Sequence, residues 1–329
     1  MSHLSPKQIW NLTDVELLNT LDNLGASSKL RRIHFYAPSF VSYKTRYCCS
    51  SPNIFPTISI TGKGCALGCK HCGGLVLDTM HPALTPAKLY ELCENLKKEG
   101  ALGCLISGGC LPNGSLPIKE FLSTIKKIKE TLDMRIFVHT GIVDDVTSGG
   151  LKKAGVDAAL IDVIGSKETI KEICNLNVST KGYENSLKAL HNARMVFVPH
   201  VVVGLHFGML KGELTALEMI SRYKPSALVI IAFMPIRGTE MESVKPPTSV
   251  DIARVVAAAR VMFPKVPLVL GCIRPKGRHR EETDVLAIKA GVDAIAFPSE
   301  KAVEYAKRIG LEAVFFQICC SQIYSDISV

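Results

Sequence analysis

Short apolar runs alternate with amphipathic helical patterns through most of this chain, and no other feature narrows the fold as far. The runs at residues 55–61, 103–107, 135–139, 158–161, 196–203, 228–232, 267–270 and 294–297 have the length and β-branched content of strands. Helical patterns of ordinary length lie between them. Thr85 and Pro86 open one that runs through Leu89, Leu92, Cys93 and Leu96 to Gly100, and residues 117–132 carry Phe121, Leu122, Ile125 and Ile128 at helical spacing. A strand followed by a helix, eight times over, predicts a parallel sheet with helices outside it. The expected fold is α/β, a (β/α)8 TIM-type barrel, with an open barrel of fewer units as the alternative. An internal echo supports this: Ala154-Gly155-Val156-Asp157-Ala158 returns as Ala290-Gly291-Val292-Asp293-Ala294, at the entries to the fourth and eighth strands.

The stretch ahead of the first strand differs. Thr13 and Asp14 can cap a helix with Val15, Leu17, Leu18 and Leu21 on its apolar face, ending near Gly25, whereas residues 29–56 look irregular. Residues 1–54 are therefore set apart as an N-terminal helical and irregular extension, and 55–329 as the barrel with a C-terminal segment. The apolar stretch 196–210 is broken by Pro199, His200, Gly204 and His206, so no membrane span is expected. The N-terminus lacks a signal-peptide pattern, and a cytoplasmic protein follows as the expectation. Twelve cysteines in 329 residues then suit reduced thiols and metal centres better than disulfides. The formal charge of +9 comes without a basic block or interleaved aromatics, so it reads as a solvated basic surface and no nucleic-acid partner is expected.

Chemistry concentrates in residues 58–74, ISITGKGCALGCKHCGG. Cys65, Cys69 and Cys72 stand in a Cys-x3-Cys-x2-Cys spacing directly after the first strand, on a loop loosened by Gly62, Gly64 and Gly68. Structural zinc wants four closing ligands, usually as two Cys-x2-Cys knuckles, and no second knuckle follows. An iron–sulfur cube is normally held by four cysteines, so three on one loop would leave one iron open to a small molecule.

This loop, with a strand before it and Gly73-Gly74 after it, resembles the cluster loop of the radical S-adenosylmethionine (SAM) superfamily. One departure is His71, which stands before the last cysteine where the superfamily usually has an aromatic residue. The resemblance implies a 4Fe-4S cluster on Cys65, Cys69 and Cys72 that binds SAM and cleaves it with one electron, with His71, Gly73 and Gly74 beside it. It also implies that Ser107, Gly108 and Gly109, after the second strand, receive the SAM amino group on their backbone. His139, Asp162 and His200, on the next three strands, are candidates for holding the rest of SAM. A lone histidine at a strand end more often makes a structural hydrogen bond.

A narrower resemblance rests on segments that occur in order: Phe35-Tyr36-Ala37-Pro38-Ser39-Phe40, the cluster loop, Ser107-Gly108-Gly109-Cys110, Val138-His139-Thr140-Gly141, Asp162-Val163-Ile164-Gly165-Ser166, Pro199-His200, Gly271-Cys272-Ile273-Arg274-Pro275 and Cys319-Cys320. Together they are similar to the biotin-synthase-related branch, and within it to the radical SAM component of the split, two-protein lipoyl synthase. That resemblance implies sulfur insertion into an octanoyl chain on a carrier-protein lysine. The partners it implies are an octanoylated lipoyl carrier protein, a second radical SAM lipoyl synthase component, and a low-potential electron donor such as ferredoxin or flavodoxin. Two other readings stay open: a biotin-synthase-like maturase, mutase or lyase, and a non-catalytic cluster-bearing partner.

Other thiols fall near the expected barrel mouth. Cys110 and Cys272 follow strands directly, and an extended C-terminal segment could bring Cys319 and Cys320 to them. These four are candidates for a second iron–sulfur cluster, with Arg274, Cys48 or Cys49 as neighbours or extra ligands. Cys93 and Cys174 sit among apolar residues and read as core.

Overall fold

Each of the expected strands is present, and the reason is burial on both faces, which parallel sheets covered by helices require. The computed structural model describes residues 4–27, 32–39 and 41–327; Phe40, one of the residues carrying the resemblance, lies outside them. The described strands are β1 (Arg32–Tyr36), β2 (Thr57–Ser59), β3 (His81–Pro82), β4 (Gly103–Ser107), β5 (Arg135–His139), β6 (Ala158–Asp162), β7 (Phe197–Val203), β8 (Leu228–Ala232), β9 (Leu268–Leu270), β10 (Ala294–Ala296) and β11 (Glu312–Phe316). They form one sheet in the order β11-β1-β10-β9-β8-β7-β6-β5-β4-β2-β3, with parallel pairing throughout. The α/β TIM-type architecture expected from the sequence is thus present, with eleven strands in the sheet.

Three of those strands escape the sequence pattern. β1 lies inside the stretch 1–54 that looked separate, yet it pairs with β10 and β11. Its partners are more than two hundred residues away in the chain, so nothing local announces it; such a short strand exists because the sheet accepts it. β3 has only two residues, and β11 forms the far edge of the sheet.

The helices are α1 (Pro6–Asn11), α2 (Asp14–Ser27), α3 (Pro86–Lys98), α4 (Leu122–Leu132), α5 (Asp145–Lys153), α6 (Lys167–Glu172), α7 (Thr180–Asn192), α8 (Glu213–Ser221), α9 (Ser249–Met262), α10 (Arg278–Lys289), α11 (Glu300–Arg308) and α12 (Ile323–Asp326). Thr13 caps α2 as expected: its hydroxyl accepts from Glu16 N at 3.3 Å, while its own N–H reaches Glu16 Oε2 at 2.8 Å. The expected apolar face is narrower, since Leu17 and Leu21 are buried but Val15 and Leu18 are 69% and 37% exposed. These two helices dock on the outside of the barrel. Buried Arg254 of α9 donates to Trp10 O at 3.1 Å and pairs with Asp14 at 2.7 Å.

The sheet is curled, and the C-terminal segment shows it. Tyr36 of β1 and Asp157 at the entry to β6 are five strands apart, about 24 Å along a flat sheet. Both are nevertheless held by little α12, which joins Tyr36 Oη to Asp326 at 2.7 Å and Tyr324 Oη to the Asp157 carbonyl at 3.3 Å. Ile318, Cys320 and Ile323 complete the apolar layer on the concave face with Phe137, Leu160, Val198, Val229 and Val269.

The sequence echo has a physical meaning. Gly155 and Gly291 take φ of 77° and 89°, conformations that glycine adopts without strain, and lie in the α5–β6 and α10–β10 connections, two residues before the aspartates. Asp157 accepts from Ile136 N at 2.6 Å and pairs with Lys129 at 2.7 Å. Asp293 accepts from Leu268 N at 2.6 Å and pairs with Arg260. The same turn therefore fastens two distant strand pairs, each to a basic residue of a preceding helix.

Candidate functional site

The cluster loop leaves β2 under tight backbone control. Ser59 Oγ donates to Gly62 O at 2.6 Å, and Ile60 N donates to Ser107 O at 2.9 Å, so Ser107 serves the loop through its carbonyl. The middle of the loop is tied to the segment after α6: Lys70 N donates to Ile173 O at 2.8 Å and Asn175 Nδ2 to Gly68 O at 2.8 Å. After Cys72 the chain reverses through Gly73 and Gly74, whose φ values are 52° and 78°. Asn175 and Thr61 gave no signal in the sequence, because their partners lie far along the chain.

Gly109 is where the second strand's turn meets this loop. A Cβ there would lie 2.0 Å from Gly64 O and 2.6 Å from Cys65 Cα. Its N–H is given to Thr61 Oγ1 at 2.7 Å, and Ala66 N donates to Cys110 O at 2.9 Å. Glycine is thus required for contact between two backbones. Gly109→Ala is expected to cost about 2 kcal/mol of stability, in the range of overpacking, and to lower the iron bound after reconstitution. Gly149→Ala, whose Cβ would meet open space, is the control; equal iron content in both variants would show that the contact does not matter.

Two of the three loop thiols converge with a ring nitrogen, while Cys65 lies outside that group. Sγ of Cys69 and Cys72 and a ring nitrogen of His71 all lie within 4.8 Å of one another. His71 Nδ1 is buried and has no hydrogen-bond partner among the described residues. Cys69 Sγ donates to the Cys174 carbonyl at 3.4 Å, and hydrogen bonding with the Cys174 side chain raises the Cys69 pKa above the ordinary thiol range. Hydrogen bonding with Cys69 and burial push Cys72 up to about 12. Without a metal these groups hold their protons, and a metal would displace them. Three thiols on one loop, with an orphaned ring nitrogen beside them, fit an iron–sulfur cluster as the donor set demands.

Cys110 stands at this loop. Burial pushes its pKa up to about 12, and the nearby Cys65, Asp162 and Cys72 add to the rise. Cys272, Cys319 and Cys320 form a different group on the concave side: burial and the Cys319 charge push Cys272 up to about 12, and hydrogen bonding between the adjacent pair lowers Cys319 and raises Cys320. Cys110 is thus tied to the cluster loop through its carbonyl, whereas Cys272, Cys319 and Cys320 pack on the concave apolar layer. Arg274 is no ligand. It is fully buried, and its guanidinium bonds to Asp284 at 2.7 and 2.8 Å and to the carbonyls of Gly271, Ala296 and Phe297 at 2.6, 2.7 and 3.1 Å. Cys48 hydrogen-bonds near Thr45 and Tyr43, and Cys49 is exposed beside Gln317. Cys93 and Cys174 are buried, as expected.

His139, Asp162 and His200 come together on adjacent strands. His139 Nε2 lies 3.5 Å from Asp162 Oδ1, and the two histidine rings are 6.0 Å apart. Burial disfavours the charged form of His139, but the Asp162 carboxylate outweighs it and the pKa rises. Burial would raise Asp162, yet His139, His200 and His71 together hold it down to about 2. Burial carries His200 down to about 4.

Comparisons with known proteins agree with this geometry. Residues 59–219, which contain the loop and the strand ends just described, match the radical SAM superfamily model. Biotin synthase of Prochlorococcus marinus (strain MIT 9515) is 26% identical over 253 residues, covering 74% of this chain and 73% of the relative. Biotin synthase of Ruthia magnifica is 24% identical, covering 88% and 87%. In fold, methylornithine synthase (PylB) aligns with a TM-score of 0.64 at 15% identity, covering 99% of this chain and 96% of that one. HydG, a maturase of the [FeFe]-hydrogenase, aligns with a TM-score of 0.65 at 18% identity over 90% of this chain; the chain spans 65% of its length. Among the described residues no helix is long and apolar enough to cross a membrane. With the three-cysteine loop and its parallel sheet in place, the family match and the biotin synthase relatives support membership of the radical SAM superfamily, in its biotin-synthase-related branch.

Proposed function

We propose that this chain is a SAM-dependent sulfur-inserting enzyme that acts on an octanoyl chain attached to a carrier-protein lysine, as one component of a two-protein lipoyl synthase. The observation that supports the reading is the second set of thiols, Cys272, Cys319 and Cys320, packed together on the concave apolar layer of the sheet. Sulfur insertion needs a sulfur source separate from the centre that cleaves SAM, and these are the residues available to hold a second iron–sulfur cluster.

Cys65, Cys69 and Cys72 would hold the 4Fe-4S cluster, which when bound supplies the single electron that cleaves SAM. The protein's own work is positional. Gly109 lets the turn after β4 lie against Cys65, and Gly73 and Gly74 reverse the chain directly after Cys72. His71 offers a buried nitrogen beside the cluster. The positive net charge of +9 suits docking of an acidic lipoyl carrier domain and of an acidic ferredoxin or flavodoxin. A second radical SAM component would complete the pair.

The test is anaerobic incubation of reconstituted protein with SAM, a low-potential reductant and an octanoyl-lysine peptide, followed by mass spectrometry. Gain of one sulfur by the peptide is expected. Deoxyadenosine without sulfur gain would overturn the substrate in favour of a maturase, mutase or lyase; absence of both would favour a non-catalytic partner.

A further inference from the structure

The ends of β5, β6 and β7 carry a ligand set that contains no thiol. Asp162 of β6 lies opposite His200 of β7, and His139 of β5 lies opposite Leu160 of β6. Alternate residues of a strand share a face. His139, Asp162 and His200 therefore point to the same side as Phe137, Leu160 and Val198, whose side chains belong to the concave apolar layer. They form a polar tier above it.

Their donor atoms converge. One ring nitrogen of each histidine and a carboxylate oxygen of Asp162 all lie within 4.8 Å of one another. His200 Nδ1 is 3.1 Å from the Val198 carbonyl. With the proton on that nitrogen, Nε2 carries the lone pair, the arrangement by which a backbone carbonyl orients a ligating imidazole. Strand ends also hold side chains more rigidly than loops do. Two imidazoles and one carboxylate on three neighbouring strands match the set that holds a divalent ion while leaving positions for water or a substrate oxygen.

We propose that His139, Asp162 and His200 bind a divalent transition metal ion, zinc or ferrous iron, at a site separate from the three-cysteine loop. The resemblance set these residues beside SAM; the convergent lone pairs point to a metal. The inference does not rest on lipoyl synthesis, because its readout is metal content and coordination, not turnover.

Zinc is the probe. Reconstituted protein, with its cysteine loop occupied, is incubated with Zn2+, dialysed, and examined for metal content and by zinc-edge X-ray absorption. The expected result is about one zinc per chain with a nitrogen and oxygen shell at about 2.0–2.1 Å and no sulfur. Asp162→Asn and His200→Gln should each lose the zinc, while Cys272→Ala should keep it. Absence of bound zinc in the wild type overturns the proposal, as does a sulfur shell at about 2.3 Å. So does full retention in both Asp162→Asn and His200→Gln. A zinc-free wild type whose Asp162→Asn variant binds SAM more weakly would assign the aspartate to SAM instead. The wild-type spectrum decides even if a variant fails to fold.

Discussion

Arg274→Met should destabilise the folded chain by about 3–5 kcal/mol, the cost of leaving a buried charge without its partner. Both Arg274 and Asp284 are fully buried. Removing the guanidinium would leave the Asp284 carboxylate with the Ser299 N–H, which it accepts at 2.7 Å, and would strip a donor from the carbonyls of Gly271, Ala296 and Phe297. Those groups belong to the ends of β9 and β10 and to the start of α11. The residue is thus a clamp between neighbouring units of the barrel, two residues from Cys272. Arg274→Met/Asp284→Leu should be less damaging than Arg274→Met alone, because no charge is stranded. Urea unfolding followed by circular dichroism measures both. A loss below about 1 kcal/mol in the single variant would mean that water reaches the site, for a buried unpaired group costs more than that.

Replacing Cys65, Cys69 and Cys72 together with alanine should abolish deoxyadenosine formation and remove the iron held by the loop, while leaving the fold in place. The loop's backbone ties, Lys70 N to Ile173 O and Asn175 to Gly68 O, do not use these thiols. Cys110→Ala provides the contrast: its thiol adjoins the loop, but the spacing that holds the iron is intact without it. Iron and sulfide content with the visible absorption of reconstituted protein gives the answer. Unchanged iron and SAM cleavage in the triple variant would remove the basis for the functional reading.

Some features were legible because they are local. Thr85 caps α3 through its bond from Lys88 N at 3.3 Å, as the Thr-Pro pair suggested. The strands at 103–107, 135–139 and 228–232 appear with the expected bounds because each has an uninterrupted apolar centre. Others were invisible for the opposite reason. β1 depends on partners at the far end of the chain, and Val15 and Leu18 look apolar but face outward because α2 meets the barrel along Leu17 and Leu21.

The metal-binding loop and the alternation that makes a parallel α/β sheet are properties of residue type and spacing, so the chain order by itself determined them. The tertiary structure decided where the other thiols lie: Cys110 is tied to the loop, Cys272, Cys319 and Cys320 pack on one apolar layer, and Arg274 is a structural clamp. It also brought His139, Asp162 and His200 within reach of one another. Spacing along a chain limits which groups can share a short loop, whereas meetings between strand ends depend on register and on the curl of the sheet, and those arise from packing the whole chain at once.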